Sequence, residues 1–274
     1  MNELPPKALI AMIALRALPG APLYDKDDQR IIGQALSDLE HYKRAGVDAV
    51  LLENDHDLPY AKGPLPEAAK KVVEKVCRVV RDEWPGPMGL QLLEAANEDA
   101  LDVARAAGLD FIRVEGFVYA HVGPGGIIEA CAGPLLRKRA ALGAGHIKIF
   151  PDISKKHCAH ALRGDLDICL EARQAELFLA DGLVVTGRFT GEAADSADLR
   201  AVREVSTLPI IIGSGMTADN VEALAPLADA FIVGSTFRKN GRYLERLDPE
   251  RLEWFMQAFL AARAVGASAS TSAS

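Results

Sequence analysis

Charged residues stand at alternate positions in two short apolar stretches of the chain. Arg113 and Glu115 alternate with isoleucine and valine, and Lys148 and Asp152 lie an even number of positions apart in a second stretch. Successive side chains of a β-strand point to opposite faces, so each pair is expected to share one face. Buried charges are costly unless they are paired, and we therefore expect Glu53, Arg113, Glu115 and Lys148 to form an ion-pair network.

This network has two interpretations: a structural layer of ion pairs, or a set of catalytic and substrate-binding groups. We favour the second, because the interiors of parallel barrels are usually filled with branched apolar side chains. His157 can add acid or base catalysis, since the pKa of histidine lies near neutrality. In a variant of this hypothesis, Lys148 has a lowered pKa and forms a Schiff base, as in an aldolase. The candidate catalytic residues are Glu53, Arg113, Glu115, Lys148, Asp152 and His157.

Two glycine-containing segments follow apolar runs late in the chain. Gly213, Ser214 and Gly215 follow one run, and Gly234 and Ser235 follow the next. In β/α barrels the turns after strands seven and eight commonly bind phosphate, because glycines let backbone N–H groups approach the oxygens. Glycines after strands also form tight turns without a ligand, which is the alternative. Further substrate contacts are predicted at Asn54, Gln91, Thr186 and Gly187.

Repeated strand and helix patterns must position these residues. Eight runs rich in valine, isoleucine and leucine are predicted to be strands: 8–15, 49–54, 88–93, 111–116, 146–152, 182–187, 209–215 and 230–235. Helical spacing lies between and after them at 28–45, 67–82, 98–107, 127–142, 166–180, 197–206, 218–227 and 249–265. Eight β-then-α units favour an α/β fold, the (β/α)8 TIM barrel, over an open doubly wound sheet. The segment 118–126 is long enough to act as a lid or to be a static loop.

Length and composition limit the class of protein. A chain of 274 residues fits one (β/α)8 barrel over 1–265, followed by a disordered Ser/Ala tail over 266–274. The net charge of −7 disfavours nucleic acid as a partner. The chain has no run of 18 apolar residues and no leader-like start, so we expect a cytoplasmic protein without membrane contact. We expect no cofactor and no metal. A homo-oligomer is a further expectation, which no particular motif of the sequence indicates.

Several segments, taken in order, resemble the BtpA family. They are 18–22 (LPGAP), Glu53-Asn54 with Asp57, 59–60 (PY), 111–114 (FIRV), 126–128 (GII), 155–157 (KKH), 184–187 (VVTG) with 190–191 (TG), 213–215 (GSG) with Thr217 and Asn220, and 232–234 (IVG). The resemblance runs from about Ile10 to about Arg251. It implies a barrel related to ribulose-phosphate-binding enzymes, in a family named for photosystem I biogenesis and also found beside sugar-metabolism proteins.

The sequence departs from the family pattern at three places. Ala14 stands where a histidine is usual, the segment 91–99 differs from the usual N-x-L-R-N-D, and Pro124 replaces a common aspartate. These departures indicate a divergent member.

Two classes of function fit the residues. The first is an enzyme acting on a phosphorylated sugar or nucleotide-like molecule by isomerisation, by lyase chemistry or by glycosidic-bond cleavage, with phosphate at the glycine segments. The second is a non-catalytic assembly or regulatory factor, since one barrel fold supports many roles.

Overall fold

Strands and helices alternate along most of the chain. The computed structural model describes residues 3–154, 157–159, 161–187 and 191–271, with side chains except at 163 and 265–271. The strands are β1 Ala8–Ala14, β2 Ala49–Glu53, β3 Met88–Gln91, β4 Phe111–Val114, β5 His121–Gly123, β6 Gly126–Ile128, β7 Lys148–Ile153, β8 Leu183–Val185, β9 Ile210–Ile212 and β10 Ala230–Val233. The α-helices are α1 Asp28–Ala45, α2 Glu67–Glu83, α3 Asn97–Ala107, α4 Ala132–Ala141, α5 Ile168–Leu177, α6 Ser196–Val205, α7 Val221–Leu224 and α8 Pro249–Thr271.

Eight of the strands close into one parallel barrel in the order β1-β10-β9-β8-β7-β4-β3-β2. All eight predicted strand runs take part, so the predicted (β/α)8 fold is confirmed. Strands β5 and β6 form a separate antiparallel hairpin, in which His121 pairs with Ile128. The carboxyl ends of the barrel strands therefore share one face, which is where barrels of this class place their binding sites.

The barrel strands are apolar on both faces because both faces are covered. Side chains such as Ile112 and Ile149 point outward and join the core shared with the helices. Inward-pointing residues form a second apolar cluster that includes Ile10, Phe111 and Phe150. Near-continuous hydrophobic strands are typical of parallel sheets buried on both sides.

The two phenylalanines fill the lower part of the barrel. The rings of Phe111 and Phe150 lie 5.4 Å apart between centroids. A Cβ added at Gly89 would stand 2.2 Å from Phe111, and one at Gly182 would stand 2.9 Å from Phe150. Glycine in β3 and directly before β8 therefore lets the rings pack across the barrel.

Helix boundaries agree less well than the strands. The helix predicted over 127–142 is wrong at its start: the segment up to Ile128 belongs to the hairpin, and α4 begins at Ala132. Gly126, at φ 109°, makes the turn that the helical spacing concealed. Helix α7 is only four residues long and continues as a 3-10 turn that contains Pro226. Helix α8 runs to Thr271, into the predicted tail, and the division of the chain at residue 265 stays a prediction.

Candidate functional site

A cavity of about 390 Å³ opens at the carboxyl ends of the barrel strands. Its floor carries charged side chains, one wall is formed by the turns after β9 and β10, and another by the segment after β2. The lining residues are Met12, Glu53, Asp55, Leu58, Pro59, Tyr60, Gln91, Leu93, Glu94, Arg113, Glu115, Pro124, Asp152, His157, Gly213, Ser214, Gly215, Met216, Ile232, Val233, Gly234, Ser235, Thr236 and Tyr243.

Arg113 lies at the centre of the floor. Its Nε and Nη2 donate to Asp152 Oδ1 and Oδ2 at 3.0 and 3.2 Å, and its Nη1 donates to Glu53 Oε1 at 3.1 Å. Burial lowers the pKa of the Arg113 guanidinium, but the carboxylates of Asp152 and Glu53 raise it by more, so the net shift is upward. The guanidinium is therefore charged and held in place by two carboxylates.

Glu115 and Gln91 form a second polar pair on the floor. Gln91 Nε2 donates to Glu115 Oε1 at 3.0 Å, and the backbone N–H of Ala95 donates to Glu115 Oε2 at 2.8 Å. Glu115 is fully buried and Gln91 is 2% exposed. Unlike the carboxylates around Arg113, Glu115 is held in these bonds by neutral donors.

The two glycine turns, residues 213–215 and 234–235, line the same wall of the cavity. They are adjacent because β9 and β10 pair in parallel, Ala230 opposite Ile211. The N–H of Gly213 is already bonded to Val185 O at 2.9 Å. Ser214 is 8% exposed, and its Oγ has no hydrogen-bond partner among the described residues.

Gly213 and Gly215 are required by close contacts. A Cβ at Gly213 would stand 2.4 Å from Val184 Cγ1 and 3.1 Å from Arg113 Nη2. Gly215 has φ 75°, and a Cβ there would stand 2.0 Å from the carbonyl oxygen of Glu192. Larger residues at either position would displace the guanidinium or the segment that follows β8.

Three predicted binding residues lie beside the cavity and do not line it. Asn54 accepts from the N–H of Leu93 at 2.8 Å and donates to Asp57 Oδ2 at 3.3 Å, so it ties the segments after β2 and β3 together. Thr186 is buried below Gly213, and Gly187 packs against the carbonyl oxygens of residues 192 and 193. The structure gives these three residues supporting positions.

The prediction for Lys148 is wrong. Lys148 is the first residue of β7, its side chain is 51% exposed, and its Nζ lies 3.5 Å from Asp181 Oδ1. It shares a strand face with Phe150 and Asp152, as expected, but it stands at the amino end of the strand, at the opposite rim from the cavity. Lys148 therefore cannot join the network or form a Schiff base with a ligand in the cavity.

His157 lines the cavity and is exposed. Its neighbour Ala159 forms backbone hydrogen bonds with Val122 of the hairpin, at 3.2 and 2.8 Å. The loop that carries His157 is thereby tied to β5. Lys155, Lys156 and Thr190, which contribute to the resemblance to the BtpA family, lie outside the described residues.

The predicted site residues leave out several lining residues, among them Tyr60, Glu94 and Tyr243. Tyr60 donates to the carbonyl oxygen of Asp55 at 2.7 Å, and burial followed by the charge of Asp55 raises the pKa of Tyr60. Glu94 accepts from the N–H of Gly125 at 3.3 Å, which brings the hairpin tip over the cavity. Tyr243 comes from the segment before α8. All three stand in loops without strand or helix periodicity, so no sequence pattern marked them.

Comparisons with known proteins agree with this architecture. The family model described as the BtpA family matches residues 5–261. An uncharacterized mitochondrial protein of Caenorhabditis elegans is 41% identical over 254 residues, which cover 91% of each chain. The sgc region protein SgcQ of Escherichia coli is 32% identical over 255 residues, with 92% of this chain and 93% of that protein covered.

Solved structures with the same fold include enzymes named for phosphorylated compounds. Thiamine phosphate pyrophosphorylase from Pyrococcus furiosus superposes with a TM-score of 0.57 at 15% identity, covering 93% of this chain and 96% of that one. N-acetylmannosamine-6-phosphate 2-epimerase from Clostridium perfringens gives 0.54 at 15% identity, with coverages of 87% and 88%. At these identities the likeness shows the fold alone. No helix in the described part of the chain is long and apolar enough to span a bilayer.

Proposed function

The chain belongs to the BtpA family, and we propose that its barrel is an enzyme that transfers protons on a phosphorylated sugar or nucleotide-like small molecule. Isomerisation and lyase reactions of such compounds both begin with removal of a proton from carbon or oxygen by a positioned base. The observation that carries the proposal is the shared cavity, in which the glycine turns face the ion pairs around Arg113.

The glycine turns are the proposed phosphate site. Ser214 Oγ supports this assignment, because it is a buried hydroxyl at the cavity wall with no partner among the described residues. Buried hydroxyls are nearly always hydrogen-bonded, so an acceptor such as a phosphate oxygen would satisfy it. The fold neighbours named for phosphorylated compounds support the same substrate class.

Glu53 is the proposed acid and base. Its side chain is 10% exposed, whereas that of Asp152 is fully buried. Asp152 binds Arg113 through both oxygens, which leaves it a positioning role. Glu53 binds the same guanidinium at 3.1 Å through Oε1 while it lines the cavity.

The test is carbon-bound hydrogen exchange in D2O, followed by NMR with ribose 5-phosphate, glucose 6-phosphate and glucosamine 6-phosphate. We expect deuterium incorporation into at least one compound, and a fall of at least about 100-fold in its rate in Glu53→Gln. Glu83→Gln is the matched control, because Glu83 ends α2 at the opposite rim of the barrel. The proposal is overturned if no compound exchanges and inorganic phosphate does not raise the melting temperature.

The alternative, a non-catalytic assembly or regulatory factor, is favoured by one observation. Arg113 is already paired with two protein carboxylates, as in a structural ion-pair layer. In that case Glu53→Gln would lower stability, by leaving the guanidinium with one carboxylate, and would change no reaction. A cytoplasmic location and a homo-oligomeric state stay predictions of the sequence.

A further inference from the structure

The cavity floor offers acceptors and few donors. Gln91 must present its NH2 group to Glu115, because a carboxylate only accepts. Its carbonyl oxygen, Oε1, then has no donor among the described residues, although Gln91 is 2% exposed and lines the cavity. A buried carbonyl oxygen without a donor is costly, so this position favours a ligand that donates a hydrogen bond.

The charges of the residues that line the cavity favour a ligand with a positive charge. Five carboxylates line the cavity, namely Glu53, Asp55, Glu94, Glu115 and Asp152. Among the described lining residues, Arg113 is the single arginine or lysine, and its guanidinium is bound to Glu53 and Asp152. A low-dielectric cleft with such an excess of one sign attracts the opposite charge.

We propose that the end of the substrate remote from the phosphate is a protonated amine, which makes the substrate an amino sugar phosphate or a compound of similar charge pattern. This inference rests on the proposed function for the phosphate end. An ammonium donates three hydrogen bonds and carries the missing positive charge, whereas a hydroxyl donates one and carries none.

The test compares two ligands that differ in one group. Glucosamine 6-phosphate and glucose 6-phosphate differ by an amine in place of a hydroxyl. Calorimetric titration of each in the presence of EDTA gives the difference in affinity that this replacement causes. We expect the amine to bind at least tenfold more tightly at neutral pH. The preference should fall as the pH rises and the ammonium loses its proton.

Two variants locate the preference on the floor. Gln91→Met removes the unpaired carbonyl at similar volume, and Asp55→Asn removes one lining charge without changing shape. Each is expected to reduce the ratio of the two affinities at least threefold, because the amine loses more binding than the hydroxyl does. Glu83→Gln, which also removes one carboxylate but at the far rim, should leave the preference unchanged.

The outcomes separate this inference from the proposed function. Equal binding of the two sugars, with inorganic phosphate still protecting the fold, overturns the amine and keeps the phosphate site. A preference that develops only when magnesium replaces EDTA also overturns it, in favour of a metal-bridged ligand. Failure of both sugars and of inorganic phosphate to bind overturns both proposals.

Discussion

Two buried arginines, one inside the barrel and one between β1 and α1, differ in what surrounds them. Arg113 and Arg238 are each 2% exposed. Arg113 lies inside the barrel, between two carboxylates and against the cavity. Arg238 follows the turn after β10, and its Nη2 lies 2.8 Å from Asp38 Oδ2 of α1 and 3.2 Å from the carbonyl oxygen of Met12.

The difference shows that burial alone does not mark a functional charge. Arg238 is packed between β1 and α1, where Tyr42 also donates to Met12 O at 2.7 Å. These bonds fix the segment after β10 to β1 and α1, and Arg238 does not line the cavity. Arg113 makes equally close bonds, but Glu53 and Asp152 both line the cavity. We therefore expect Arg238 to contribute to stability alone and Arg113 to contribute to stability and ligand binding.

The largest effect is expected from Arg113→Met. This change leaves Glu53 and Asp152 without their common cation, and removal of one partner from a buried ion pair typically costs about 4 kcal/mol. Urea denaturation should show that loss in the free energy of unfolding, and hydrogen exchange into sugar phosphates should be abolished in protein that is still folded. Unchanged exchange in the folded variant would contradict a role for Arg113 in the reaction.

Arg238→Met is expected to cost somewhat less, about 3 kcal/mol, because one carboxylate loses its partner where Arg113→Met strands two. Affinity for sugar phosphates, measured on the folded fraction, should stay the same. The double variant Arg238→Met with Asp38→Leu should recover at least half of the lost stability, since no buried charge is left unpaired. If the double variant binds sugar phosphates more weakly than the wild type, Arg238 also contributes to ligand binding, and the proposed difference between the two arginines is wrong.

The smallest effect concerns pH and His56, whose ring lies near Arg238. Burial first, and then the charges of Arg238 and Arg16, lower the pKa of His56 from 6.5 to about 4. Because folding lowers the pKa of His56, the unfolded chain binds a proton at this residue more tightly than the folded chain does. The free energy of unfolding therefore decreases as the pH falls from 6.5 towards 4.

Because the His56 ring is partly exposed, solvent screening limits the loss to about 1 kcal/mol. His56→Gln should remove that part of the pH dependence and leave the stability at pH 8 nearly unchanged. If the free energy of unfolding falls equally in the wild type and in His56→Gln over this pH range, His56 has the same pKa in the folded and unfolded chains, and the prediction is wrong.

The sequence predicted the inner arginine and failed to identify the outer one. Arg113 stands in a strand whose alternation assigns its face, so its inward direction and its ion pair with Glu53 were predicted. Its bonds to Asp152 were not predicted, and Lys148, an expected member of the network, pairs with Asp181 instead. Arg238 stands in an irregular segment, and its partner Asp38 lies 200 positions earlier in α1. No local pattern reports a contact that only the closed barrel brings together.

The sequence also failed to predict the end of the barrel at which Lys148 lies. Alternation gives the face of Lys148 correctly, yet the start of β7 at that residue places the side chain at the wrong rim. Lys148 stands four residues before Asp152, so about 13 Å of strand separates them, and Asp152 reaches the cavity whereas Lys148 does not. Alternation reports the face of a residue but not how far along the strand it lies. The glycine turns were located correctly because they follow the strands directly.

The tilted rings of Phe111 and Phe150 pack inside the barrel below the ion pairs around Arg113. Gly89 and Gly182 make room for these rings, so the interior at this level is filled by aromatic side chains. A ligand that reaches the ion pairs is therefore expected to come from the carboxyl ends of the strands, where Pro124 of the hairpin also lines the cavity.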